Sequence, residues 1–178
     1  AIDLGLSEVI QAFHHQRPRV NLELEELPPP QLEARLLDGT LDMVLTRAGH
    51  NAQPRLTYRR FADEGYCLAI PEGHPIEHRE HVEVTALHGE PLLFFPRVFH
   101  PELHDAWVST FHHADCSPRL VQEVRSLQTE LALVRCGLGL ALVTESIAAR
   151  PRRGIVYRPI VGEVPRVQVD VAWRTQDG

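Results

Sequence analysis

Eleven histidines are the first residues in this chain that could do chemistry. His74 and His78 are four apart, as are His100 and His104, and that spacing can bring two imidazoles to one metal ion. Pro75 and Pro101 follow the first histidine of each pair, so neither pair lies wholly inside a regular helix. No CxxC or HExxH accompanies them. Solvated surface histidines are the simpler reading, and neither a metal nor a cofactor is expected. Gly137 and Gly139 in CGLGLALV share the first spacing of a dinucleotide fingerprint but lack its third glycine. They also follow a helical pattern and precede a strand-like run, the reverse of the order phosphate binding needs. No GxSxG elbow or Walker loop occurs, and no carboxylate pair stands out from the many acids on polar faces. The chain is therefore expected not to be an enzyme.

Two features keep functional weight. In FFPRVFHPELH a strand ends near Phe95-Pro96 and a helix begins at about Pro101. The first N–H groups of such a helix have no partner within it, which offers an anion site without a charged side chain. An ordinary entry into a helix is the alternative. The second feature is Arg47, at the C-terminal end of a strand, where open α/β sheets bind ligands. A surface arginine is the alternative there.

The elements that would position these residues follow from periodicity. Leu6, Val9, Ile10 and Phe13 recur at helical spacing until Pro18. VNLELEEL alternates apolar and polar residues from Val20 to Leu27, as a half-buried strand does. Pro30 suits the first turn of a helix whose stripe is Leu32, Leu36 and Leu37. Gly39 can end that helix in the left-handed conformation, and LDMVLT reads as a strand buried on both faces. Strands are expected near Tyr58–Phe61 and Tyr66–Ile70, then in PLLFFP, RLVQEV, LGLALV, GIVYRPI and VQVDVAWR. Helices are expected after Pro101, with Leu103, Trp107, Phe111 and Ala114 on one face, over SLQTELALVRCG, and briefly at ESIAA. This alternation argues for an α/β protein with mostly parallel sheets.

The bulk properties agree with a folded, non-membrane chain. It has 178 residues, 43% of them hydrophobic, with a formal net charge of −6. That charge carries no basic footprint, so any DNA contact is expected to lie outside this chain. No apolar run reaches the ~18–20 residues of a membrane span. Cys67, Cys116 and Cys136 are odd in number and far apart, and read as buried reduced thiols of a cytoplasmic protein. The start AIDLGLSEVI lacks an initiator methionine and reads as a fragment.

The succession RPRVNLELEE, LLDGTLDMVLTR, GYCLAIPEGHP, PLLFFP and EVRSLQTELALVRCGLGLALV resembles the effector-binding domain of LysR-type transcriptional regulators. The most specific pieces are Leu36, Gly39, Leu41, Asp42, Leu45 and Arg47 in LxxGxLDxxLxR, together with VRCGLGLALV. The FPR followed by a proline-initiated helix resembles the branch that senses muconate or benzoate. The resemblance implies two α/β lobes of the periplasmic-binding-protein type II kind, joined by two crossover strands. Lobe one would be residues 1–65 and 157–178, and lobe two residues 66–156. A small effector, an anionic or aromatic acid, would bind in the inter-lobe cleft. By the same resemblance Arg47 and Glu64 line a secondary site, and Phe99, His100, Pro101, Leu103, Ser126 and Gln128 face the effector. Pro29 falls where a serine or threonine hydroxyl is usual, and it can donate no hydrogen bond. A winged helix-turn-helix outside this chain would bind DNA.

The resemblance further implies a homodimer of this fragment and a homotetramer at full length, with no membrane partner. The dimer would pair the Glu8–His15 helix of one copy with the Ser126–Cys136 helix of the other. Leu133 lies off the stripe of Leu127, Leu131 and Val134, and is expected to face the partner. The rival reading is a solute-binding protein or an enzyme on the same fold, because fold does not fix function.

Overall fold

The structure is a computed structural model describing residues 5–27, 29–47 and 53–177, apart from the side chains of Pro29, Pro30, Arg47 and Asp177. In chain order its main elements are α1 (Leu6–Gln16), α2 (Pro29–Leu37), β1 (Met43–Arg47), β2 (Leu56–Glu64), β3 (Tyr66–Pro71), β4 (Val82–Glu83), β5 (Pro91–Phe94), α3 (Pro101–His113), β6 (Arg119–Glu123), α4 (Leu127–Arg135), β7 (Leu140–Thr144), α5 (Glu145–Ala148), β8 (Ile155–Val161) and β9 (Val167–Arg174). The fold is α/β, with two units of the periplasmic-binding-protein type II kind. One unit is Ala1–Asp63 with Val167–Gly178, and the other is Glu64–Arg166.

The first unit is built on a sheet of order β1-β9-β2. β1 and β9 are antiparallel, with Met43 opposite Trp173 and Arg47 opposite Val169. Leu36, Val44, Leu56 and Ala172 form its small core, with Leu32, Leu37, Leu41 and Tyr58 packed around them. The LLDGTLDMVLTR stretch is structural here. Gly39 ends the helix at φ +83°. The Arg174 guanidinium Nη1 then clamps the turn by donating to the carbonyls of Leu36 at 2.9 Å and Leu41 at 2.6 Å.

The segment expected as a strand, Val20–Leu27, is not one. Alternation marks a surface able to sit half-buried, but a strand also needs a ladder partner. Among the described residues this segment has none, and Leu24 is 71% exposed. α1 does form, yet it contains no buried residue.

The second unit carries a six-stranded sheet of order β4-β8-β3-β7-β5-β6. Parallel pairing was expected to dominate, but the sheet is mixed. β3 is antiparallel to both β7 and β8, whereas β5 is parallel to β6 and β7, and β4 is parallel to β8. Periodicity identifies strands but carries no direction, and the chain's returns through β7 and β8 reverse it. β8 belongs wholly to this sheet, so the second boundary falls at Arg166/Val167 and not at Tyr157.

Side chains alternate across β3. Cys67 and Ala69 point to the face covered by α4, in a core with Leu93, Val124, Leu131, Val134, Ala141, Val143 and Ile155. Tyr66 points to the other face and meets Trp107 of α3 edge-on, with ring centroids 5.0 Å apart. Trp107 is 0% exposed. The glycines of CGLGLALV are also structural. Gly137 closes α4 at φ +76°, and a Cβ on Gly139 would stand 3.0 Å from the Pro91 carbonyl oxygen, so only glycine lets β7 start this close to β5.

Three further expectations change. Cys67 and Cys116 are buried, but Cys136 is exposed at the end of α4. Burial pushes the Cys67 and Cys116 thiols above their ordinary range, so both are poor nucleophiles. Leu133 is half-buried and packs against the α4 core, because Ile147, Ala148 and Tyr157 widen that core beyond a single helical stripe. A charge at Leu133 would therefore strike the core instead of a free surface. Leu127, taken as part of the core stripe, is 36% exposed.

Candidate functional site

The second unit builds a polar-edged aromatic wall at the end of β5. Phe94 closes the strand and Phe95 follows it, with ring centroids 4.5 Å apart. Pro96 turns the chain into a short 3-10 turn, Arg97–Phe99, and His100 then occupies the N-cap position of α3. Pro101 sits in the first turn, where its fixed φ suits a helix and its missing N–H costs nothing. The His100 side chain does not cap the helix, so the early N–H groups of Glu102 and Leu103 keep their donors for something outside it.

His104 folds back beside the strand end. Its ring lies 5.0 Å from Phe94 and 5.8 Å from Phe95, and His100 stands 6.2 Å from Phe95. His104 Nδ1 is buried with no hydrogen-bond partner among the described residues, and Asp105 Oδ1 is 3.6 Å away, too far for one. Arg97, the nearest arginine in sequence, is already engaged. It grips Asp105 with two parallel hydrogen bonds of 2.7 and 2.6 Å. That pairing raises the Arg97 pKa and lowers that of Asp105, each through the other's hydrogen bonds. An anion at α3 would thus meet backbone N–H groups, not a free guanidinium from this turn.

Phe99 is 44% exposed and lies under the Arg125 guanidinium, 5.9 Å from ring centroid to carbon. Arg125 immediately precedes Ser126, the N-cap of α4, whose hydroxyl caps no N–H group. The structure so brings Phe99 and His100 into one wall with the entrance of α4. Leu103 is half-buried and Pro101 exposed on that helix turn. Gln128 is placed differently. It lines a pocket with Arg135, Arg152 and Arg153, and no residue of Phe94–His104 shares that lining.

Glu64 is one of two buried polar or charged residues among those described, and is 8% exposed. Its Oε2 accepts from the Ser146 N–H at 2.7 Å, while Oε1 is buried with no hydrogen-bond partner among the described residues. One residue on, Gly65 N–H donates to Glu145 Oε2 at 2.8 Å and the Gly65 carbonyl accepts from Glu145 N–H at 3.2 Å. The first strand of this unit is thereby clasped to α5. Of the first unit's expected residues, Pro29 opens α2 and Arg47 closes β1, but both side chains lie outside the described residues. Sequence reasoning missed Arg125, whose position over Phe99 has no local signal. It took His104 as a solvated surface histidine, whereas here its side chain is largely buried against Phe94 and Phe95.

A family model, the LysR substrate binding domain, matches residues 4–178. The chain belongs to the LysR substrate-binding domain family. Its relatives include the HTH-type transcriptional regulator TtuA of Agrobacterium vitis, 29% identical over 86% of this chain and 50% of that protein. The Hca operon transcriptional activator HcaR of Escherichia coli K12 is 27% identical over 95% of this chain and 57% of the relative. This LysR domain thus spans about half the length of the curated relatives it matches. Among solved structures, the BenM effector-binding domain with its effector benzoate aligns over 96% of this chain and 78% of that one, at 22% identity and a TM-score of 0.84. At that identity the likeness shows the fold alone. No helix among the described residues is long and apolar enough to cross a membrane.

Proposed function

We propose that this LysR domain senses a small anionic or aromatic acid and, in a longer cytoplasmic protein, sets the activity of a DNA-binding domain. The observation that carries this reading is the wall on the second unit: Phe95, Phe99 and His100 gathered at the uncapped N-terminus of α3, over the buried Phe94. Aromatic faces suit a planar ligand, and free N–H groups suit its carboxylate. The relatives' names, transcriptional regulators and an operon activator, support control of transcription over transport or catalysis. The benzoate named for BenM supports an aromatic acid as the first class to try. Phe99, His100, Pro101, Leu103, Ser126 and Gln128 on the second unit, with Pro29, Arg47 and Glu64, are the residues we assign to effector recognition. An effector changes the regulator only to the extent that it binds one arrangement better than another.

Thermal-shift titration with benzoate, substituted benzoates and dicarboxylic acids tests this. A saturable rise in Tm with at least one acid is expected. Phe99→Ala should weaken that acid by ~1 kcal/mol through lost aromatic contact, and Ser126→Ala by ~0.5–1.5 kcal/mol through a lost hydrogen bond. Hits confined to cations or neutral sugars would overturn the reading.

We also infer a homodimer of this domain, and a homotetramer at full length. α1 supports it. A helix with no buried residue that carries Val9 at 50% and Phe13 at 38% exposure has apolar surface left for a partner. Phe13→Glu is expected to convert a dimer to a monomer in light scattering with no change in far-UV circular dichroism, because Phe13 supports no core. A wild-type chain that is monomeric at high concentration would contradict it.

A further inference from the structure

We infer that the second unit carries an anion-binding pocket between α4 and the turn that enters β8, built for a compact dianion such as phosphate or a short dicarboxylate. The pocket is open to solvent, has a volume of about 150 Å³ and is lined by Gln128, Leu131, Ala132, Arg135, Arg152, Arg153 and Ile155. At ~30 Å³ per liquid water, that volume holds about five waters, the scale of a small oxyanion with part of its hydration. Leu131 and Ile155 belong to the α4 core and form the floor. The rim is cationic.

None of the three arginines is hydrogen-bonded or ion-paired to a carboxylate among the described residues. Arg35, Arg60, Arg97 and Arg174 each hold an acid. The chain as a whole is acidic, at −6, and three unpaired guanidinium groups gather around this one hollow. Clustered like charges repel, and a bound anion relieves that repulsion while filling their planar donor forks.

The arginines are also placed by rigid backbone. Ile155 N–H donates to the Arg152 carbonyl at 3.2 Å, closing a tight turn over Arg152–Ile155. Its third residue is Gly154 at φ +85°, the left-handed position such a turn reserves for glycine. Gly154 is tied to Glu72 in both directions: its N–H donates to Oε1, and its carbonyl accepts from the Glu72 N–H, each at 3.2 Å. A Cβ at Gly154 would stand 2.8 Å from Arg135 Cγ, so the missing side chain lets the turn close onto α4. Arg152 and Arg153 on the turn, Arg135 on the last turn of α4 and Gln128 thus line one pocket, where the Gln128 amide is a neutral donor.

The site shares Gln128 with the proposed effector set but none of the aromatic wall, so the two can be separated. Isothermal titration of the whole chain with inorganic phosphate, sulfate and succinate, at fixed ionic strength against chloride, is the test. Saturable binding by at least one dianion is expected. Arg152→Gln/Arg153→Gln should weaken it by about tenfold or more, as should Arg135→Gln, with unchanged thermal stability in the absence of ligand. Phe99→Ala should leave it intact. No saturable binding, or equal binding by the glutamine variants, would overturn the proposal. So would two alternative uses of the same arginines: loss of random-sequence DNA binding, or a change in oligomeric state by light scattering, in the glutamine variants when no dianion binds the parent.

Discussion

Trp107→Ala is expected to cost ~3–5 kcal/mol of stability. Trp107 is fully buried and lies in a stack of rings, 5.0 Å from Tyr66 and 5.6 Å from Phe111. Phe111 in turn stands 6.4 Å from Phe94, so the indole links α3 to β3 and, through Phe111, to β5. Removing it leaves a cavity no neighbouring side chain can fill without leaving its own contacts. The indole Nε1 is buried with no hydrogen-bond partner among the described residues, so its loss sacrifices packing and no polar contact. Trp107→Phe should therefore recover most of the loss, since it restores a ring in the same place. Urea titration measures both. A Trp107→Ala chain within 1 kcal/mol of the parent, a margin of about fivefold in the folding equilibrium, would mean that α3 is not fixed through this ring. Because α3 carries the aromatic wall at its start, the same variant is expected to lose acid binding, whereas Trp107→Phe keeps it.

How far the sequence reveals this molecule depends on where the decisive contact lies. Trp107 and Phe111 were legible, since their helical spacing after Pro101 follows from local periodicity alone. Gly39 and Gly137 were legible as helix ends for the same reason, and the structure gives both a positive φ. The strand expected over Val20–Leu27 was not, because its alternation says what it could bury and nothing about which neighbour would pair with it. The sheet's direction was equally hidden, since β3 gains its antiparallel partners β7 and β8 from much later in the chain. Sites show the same division. The turn into α3 was legible from Pro101, whose fixed φ suits the first turn of a helix. Arg125 over Phe99, the clasp between Glu64 and Ser146, and the convergence of Arg135 with Arg152 and Arg153 each join segments far apart in sequence. Leu133 shows the limit of a helical wheel, for Ile147 and Tyr157 reach it from other elements.

Glu130→Gln is expected to change the pH dependence of stability more than any other single substitution. Glu130 occupies the same side of α4 as the buried Leu131 and Val134, and is itself half-buried. No hydrogen bond or ion pair engages its carboxylate among the described residues. Desolvation raises its pKa from 4.5 to about 7. Below pH 4.5 the group is protonated in the folded and unfolded chain alike, and its burial carries no ionisation cost. Between pH 4.5 and about 7 the unfolded chain has released this proton while the folded chain still holds it. Stability then falls as pH rises, by at most ~1.4 kcal/mol per pH unit, and the loss is complete above the folded pKa. Partial exposure of the side chain trims the total to ~2–3 kcal/mol. Glutamine keeps the shape and cannot ionise. The variant should match the parent near pH 4.5 and exceed it by ~2–3 kcal/mol at pH 8. Urea unfolding of both proteins across that range, plotted as a difference, isolates this group from every other acid in the chain. A flat difference would show that Glu130 ionises in the folded state as readily as in water. A difference that rises toward low pH would require a cation held against the carboxylate, and would reverse the assignment of α4's inner face.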